Sequence, residues 1–240
     1  MDTNKNSYTI VYAIIMVTVV ALLLAFVSGA LKDKQTENVE LDKKKQILSA
    51  LNVDLKGQDA EALYNQYIPQ AIIVNSKGEV ISEDKEAAFN IDIARELGKP
   101  EAERELPVYL AVVDGAPKYI LSASGAGLWG PIWGYVAFNE DKNSVYGTYF
   151  NHAGETPGLG SEIAEKSFQS RFIGKKVMNA DNLFTSIAIV KPGQTDHARD
   201  YVDGISGGTI TSKGVEAMLE NSIGQYEAFL KQTTVEGGTQ

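Results

Sequence analysis

The chain has 240 residues, with 22 Lys and Arg against 31 Asp and Glu and a formal net charge of −9. That excess of acid argues against a nucleic-acid partner, whose phosphates need a basic surface. The absence of cysteine excludes disulfides, iron–sulfur clusters, thioether-linked haem and a thiol nucleophile, and two histidines, His152 and His197, are too few for a His-rich zinc or copper site. No metal site is expected, so any redox role requires an organic cofactor.

In chain order, Tyr8 to Leu31 (YTIVYAIIMVTVVALLLAFVSGAL) carries no charge. As a helix it would run ~36 Å at ~1.5 Å per residue, enough to cross a hydrocarbon core with some tilt. Ser28-Gly29-Ala30 would also suit a signal peptidase. The length of the apolar run and the weak charge before it, Lys5 offset by Asp2, favour a retained anchor over 1–31. Lys32, Lys34 and Lys43-Lys44-Lys45 come after the span, and the positive-inside rule would place the bulk of the chain in the cytoplasm. Residues 32–62 are charged and glycine-poor, and a membrane-proximal helix is expected from Asn38 to Leu51.

The segment 63–240 is expected to be one soluble domain. QAIIVNSKGEVIS (70–82) predicts a hairpin about Gly78, and LPVYLAVVDGAPKYILSASG (106–125) a second about Asp114-Gly115. Two more strands flank Asn139 to Asn143. A helix is expected over Ser161–Phe172, a strand over 183–191, and a closing helix whose inner face is Val215, Met218, Leu219, Ile223, Tyr226 and Leu230. Antiparallel strands with flanking helices behind one transmembrane helix define an α+β protein.

Three segments invite a ligand. GAGLWGPIWGYVAF (125–138) places both tryptophans, Trp129 and Trp133, among glycines, which suits a flat ring system and equally a bulged core strand. HAGETPGLGSEI (152–163) fits a type II turn at Thr156-Pro157-Gly158-Leu159, beside Glu155 and before Gly160, with Ser161 as cap of the next helix. VDGISGGTITSKG (202–214) crowds Ser206, Thr209, Thr211 and Ser212 among glycines. A polar turn capped by Ser212 would account for it; so would phosphate held where a helix begins.

Taken together and in this order, the three segments resemble the C subunit of the sodium-translocating NADH:quinone oxidoreductase over essentially the whole chain. The resemblance is strongest from Gly125 to Ile163 and from Asp203 to Ser212. It implies FMN bound covalently through its phosphate as a phosphoester, attached by a flavin transferase. The family's attachment pattern falls on Asp203, Ser206, Gly207, Gly208 and the acceptor Thr209, with Gly208 standing where the family usually has alanine. It further implies FMN contacts from Gly127, Leu128 and Trp129 and from Glu155, Thr156, Pro157, Gly158, Leu159 and Gly160.

The implied role is an electron relay in a translocase that passes electrons from NADH to ubiquinone and moves sodium, with the other membrane subunits as partners. No residue acts as an acid–base catalyst, and no NADH fingerprint or sodium ligand is expected in this chain. The family places the soluble domain on the periplasmic side of the inner membrane, against the lysine count. The G subunit of the ferredoxin-linked (Rnf-type) complex, which also carries threonine-bound FMN, and a tethered binding module without redox role are the alternatives.

Overall fold

The computed structural model describes residues 6–232. Two compact units divide between Lys43 and Lys44. The first is built from helix α1, which runs Asn6–Ala50 and continues into the second unit. With neither proline nor glycine between Leu31 and Ala50, nothing in the sequence breaks the helix at the end of the apolar span, so the separate helix expected at Asn38–Leu51 is the end of α1. The span is the one segment among the described residues long and apolar enough to cross a membrane.

In the second unit, aspartates set the starts of three short helices. The side chains of Asp59, Asp84 and Asp92 accept first-turn N–H groups of α2 (Ala60–Tyr67), α3 (Lys85–Asn90) and α4 (Ile93–Leu97). The central element is a six-stranded antiparallel sheet of β1 (Gln70–Val74), β2 (Val80–Ser82), β3 (Leu106–Val113), β4 (Ala116–Ala126), β5 (Pro131–Phe138) and β6 (Val145–His152), in the order β2-β1-β3-β4-β5-β6. The β3–β4 hairpin pairs Val113 with Ala116, and Asp114 and Gly115 both take positive φ, 51° and 78°, as a two-residue turn matching the strand twist requires.

Alternation along the strands gives the sheet two buried faces. Val108, Leu121, Val136, Phe138 and Phe150 join the main core with Phe168, Phe172, Val215, Met218, Ile223 and Tyr226. On the other face Tyr109 and Tyr135 meet edge-on, and α3 covers β1 and β3, with Phe89 edge-on to Tyr64 of α2.

The segment 160–172 is not one helix. Glu165 is extended (φ −82°, ψ 142°), which splits it into a 3₁₀ turn (Gly160–Ala164), α5 (Lys166–Gln169) and a second 3₁₀ turn (Ser170–Phe172), although Ile163, Phe168 and Phe172 are buried as their apolar character requires. The strand expected over 183–191 shrinks to β7 (Ala188–Val190), because Asn182 and Ser186 take positive φ and the N–H groups of Thr185 and Ser186 both donate to the Val177 carbonyl. β7 pairs in parallel with β8 (Tyr201–Asp203), the one departure from antiparallel pairing among the named strands. The closing helix is interrupted: α6 (Thr209–Met218) passes into a π-helical stretch (Leu219–Ile223), a 3₁₀ turn (Gly224–Tyr226) and α7 (Glu227–Leu230). Ser222 in the π stretch bonds both backbone groups of Ser124 in β4, which anchors the irregular turn to the sheet. All six residues expected on the inner face of this segment are buried.

Candidate functional site

The three glycine-rich segments converge on one end of the sheet. Gly127, Leu128 and Trp129 connect β4 to β5; Glu155 to Gly160 come after β6; Asp203 ends β8, and Ser206, Gly207 and Gly208 lead into α6, whose first residue is Thr209. What joins them is Glu155. Its carboxylate accepts the Trp129 N–H at 2.9 Å on one oxygen and the Thr211 hydroxyl at 2.6 Å on the other, and the Leu128 N–H as well. Neither Gly127 nor Gly160 has room for a Cβ: each would collide with this carboxylate, and at Gly160 also with Thr211 Oγ1.

Glu155 is only 5 % exposed and Thr211 1 %. Burial pushes the Glu155 carboxyl up. The hydrogen bonds from Thr211, Trp129 and Leu128, with the nearby His152, outweigh that and hold it below the ordinary value. The carboxylate is therefore the charged, triply served joint of the site.

The 156–160 segment turns as its sequence dictates. Leu159 N–H donates to Thr156 O at 3.1 Å and Gly158 takes φ 73°, with Pro157 before it. Ser161 does not cap a helix: the 3₁₀ turn starts one residue earlier, with no side-chain capping bond, and the Ser161 N–H itself returns to Thr156 O.

The four hydroxyls of the last segment sort into two pairs. Thr211 and Ser212 are buried and engaged, Thr211 by donating to Glu155 and Ser212 by accepting the Ile205 N–H at 3.0 Å. Ser212 is thus not the helix cap. α6 begins one turn earlier, with Gly208 in the capping position and the Ser212 N–H closing onto the Gly208 carbonyl. Ser206 and Thr209 are exposed, and Thr209 stands at the N-terminus of a ten-residue helix, where unpaired N–H groups favour phosphate.

Beside Thr209 opens a cavity of about 340 Å³ with Ile189, Val190, Pro192 and Ile205 on its apolar side and Lys191 and Lys213 among its lining cations. Leu128 (48 % exposed) and Trp129 (69 % exposed) offer large apolar groups to solvent on the adjoining loop. An exposed hydroxyl at a helix start, cations, and apolar surface match the parts of a phosphorylated flavin: phosphate, then a flat ring. Trp133, by contrast, is turned away to Gln46, to which its ring N–H donates at 3.1 Å.

Several residues that hold this site carry no local signal in the sequence. Arg171 donates to the Asp203 carbonyl at 2.8 Å and fastens the end of β8 to the α5 region. Glu216 of α6 accepts the β7 N–H of Ile189 at 2.8 Å and pairs with Arg199 at 2.7 Å. Thr211 is legible only in retrospect, from its place two residues after Thr209, which puts it on the opposite side of the helix.

Residues 127–224 match the family described as the FMN-binding domain, a stretch that contains every candidate site residue named above. The domain that carries these residues is thus of the flavin-binding class. Over the whole chain, the C subunit of the Na(+)-translocating NADH-quinone reductase of Haemophilus ducreyi is 32% identical, with 96% of this chain and 97% of that protein covered. The corresponding C subunit of Vibrio vulnificus is 31% identical over 93% of this chain and 92% of its own length. Among solved structures, the C subunit from Parabacteroides distasonis is 47% identical, covers 84% of this chain and 98% of its own, and superposes with a TM-score of 0.78. The chain belongs to the family of C subunits of the Na(+)-translocating NADH-quinone reductase.

Proposed function

We propose that this chain is the electron-relay subunit of a sodium-translocating NADH:quinone oxidoreductase and carries FMN joined through its phosphate to Thr209. The observation that supports Thr209 over Thr211 and Ser212 is the sorting of hydroxyls: Thr211 and Ser212 are buried in hydrogen bonds, whereas Thr209 is open to solvent at the first position of α6. Bound there, FMN supplies one-electron redox chemistry, and the protein supplies position and environment. Thr209 provides the ester oxygen. The first-turn N–H groups of α6 would hold the phosphate, and Lys191 and Lys213 on the adjoining cavity, the latter shared with Glu216, would offset its remaining charge. Glu155 fixes the backbone of Leu128 and Trp129, which present apolar surface toward the ring.

The attachment is tested by intact mass of the full chain co-expressed with a flavin transferase. A gain of one FMN less one water, absent in Thr209→Ala, supports the reading; incorporation that persists in Thr209→Ala removes it. Bleaching of the flavin absorbance on reduction and its return on reoxidation separate a relay from a binding module without redox role.

The remaining subunits of the oxidoreductase are its partners. We assign α1 as a single-pass inner-membrane anchor with the second unit on the periplasmic side, since large domains translocate largely regardless of flanking charge. The chain is free of cysteine, so a single cysteine placed at the exposed Asp181 reports the side cleanly. Labelling of intact cells by an impermeant thiol reagent is the expected result, and labelling only after lysis would reverse the assignment.

A further inference from the structure

Two threonines two residues apart occupy one helix start, and the structure treats them oppositely. Thr211 is 1 % exposed and its hydroxyl donates to Glu155 at 2.6 Å, while Thr209 is open. Residues two apart on an α-helix point ~200° from one another. Fixing the inward direction of Thr211 therefore fixes the outward direction of Thr209. Glu155 can hold Thr211 because its other oxygen is tied to the Trp129 N–H at 2.9 Å and its own N–H donates to His152 Nδ1 at 3.1 Å. Gly160 packs against both members of the pair, with no space for a Cβ between them.

We propose that the Glu155–Thr211 hydrogen bond is the positioning element that selects between the two helix threonines: it withdraws the Thr211 hydroxyl from reaction and sets the rotation of the first turn of α6 so that Thr209 is the one presented. This inference rests on Thr209 as the site of flavin attachment. Glu155 and Thr211 act here through Thr209; neither supplies the ester oxygen. Glu155 also couples acceptor to ring surface, since the same carboxylate orients the α6 start and the Leu128-Trp129 backbone.

The test uses the full chain with its transferase and FAD, comparing wild type, Thr211→Val, Thr211→Ser and Glu155→Gln by the rate of FMN incorporation and by peptide mapping of the modified hydroxyl. Thr211→Val keeps the shape and leaves a buried carboxylate oxygen without its donor. Incorporation at Thr209 is expected to fall about tenfold or to spread to other hydroxyls, and Thr211→Ser is expected to restore both rate and position. In Glu155→Gln the amide can only donate to the Thr211 hydroxyl, which reverses that bond and removes the charge, so a smaller loss in the same direction is expected.

Amide hydrogen exchange of the unmodified protein gives a readout independent of flavin. Thr211→Val should speed exchange at Gly208, Ser212 and Trp129, whose N–H groups are hydrogen-bonded, by about tenfold, with β3 and β4 unchanged. Folded Thr211→Val with wild-type rate and position, or with wild-type exchange, overturns the proposal, as does failure of Thr211→Ser to rescue. If the wild-type chain itself gained no FMN, the attachment reading would fail on its own, and the exchange comparison would still decide whether the pair sets the α6 start.

Discussion

Leu159 closes over Gly207: a Cβ on Gly207 would lie 2.6 Å from Leu159 Cδ2, and Gly207 takes φ 77°. The turn after β6 thereby bears on the loop before α6. Alanine at 207 meets a left-handed backbone and a displaced leucine, so Gly207→Ala is expected to cost about 2 kcal/mol. At Gly208 a Cβ would sit 3.0 Å from Ile205 Cγ2 and 3.1 Å from the Leu159 carbonyl, so Ile205 already fills part of the space that the methyl would occupy. Gly208→Ala needs only a small shift and is expected to cost under about 1 kcal/mol. Urea titration of the two variants checks the order; equal losses would show that Leu159 yields freely.

The carboxyl of Glu155 is held below its ordinary value of 4.5, with burial opposing and hydrogen bonds prevailing. A carboxyl that is more acidic folded than unfolded contributes stability that is complete above its unfolded value and is lost as pH falls through the folded one. Thermal melts should therefore show an acid limb beginning near pH 4.5 and steepening below it, and Glu155→Gln should flatten that limb while lowering stability at neutral pH. An acid limb unchanged in Glu155→Gln would locate the acid sensitivity elsewhere.

The two tryptophans differ in environment. Trp129 is 69 % exposed, whereas Trp133 is partly buried and bonded to Gln46. With Trp133→Phe, the remaining fluorescence should be red-shifted and readily quenched by acrylamide; with Trp129→Phe it should be blue-shifted and protected. Gln46→Ala should cost about 1 kcal/mol and raise quenching of Trp133. Equal quenching in the two single-tryptophan variants would contradict the arrangement.

Glu216 ties α6 to both the backbone of β7 and Arg199, and Arg199 in turn donates to the Thr185 carbonyl at 2.8 Å. Glu216→Ala strands the Ile189 N–H and takes from Arg199 its 2.7 Å partner, while Asp196 at 3.7 Å, Glu220 at 4.0 Å and the Thr185 carbonyl still face the guanidinium, so a loss of about 1–2 kcal/mol is expected. The loss should be strongly non-additive with Arg199→Ala. Additive losses in a double-mutant cycle would show that the pair at 2.7 Å contributes little beyond its surroundings.

The sequence by itself determined the elements whose cause is local. The uncharged run from Tyr8 to Leu31 dictates an apolar helix, and Asp114-Gly115 dictates a two-residue turn because both positions must take positive φ. Thr156-Pro157-Gly158-Leu159 likewise specifies its turn, and apolar spacing marked the buried face of the closing segment. Tertiary structure decided where those elements stop and which polar groups meet. Glu165 turns extended in the middle of a helical pattern, and Ser186 takes φ 58° inside an apolar run, where its N–H and that of Thr185 donate to the Val177 carbonyl. α6 starts at Thr209 and not near Ser212 because the Ser212 hydroxyl is committed to Ile205 and Thr211 to Glu155. Residues 155 and 211 are far apart in the chain, and no periodicity relates them. Their 2.6 Å contact exists only because β6 and α6 bring both to the same end of one sheet, and it leaves Thr209 facing solvent.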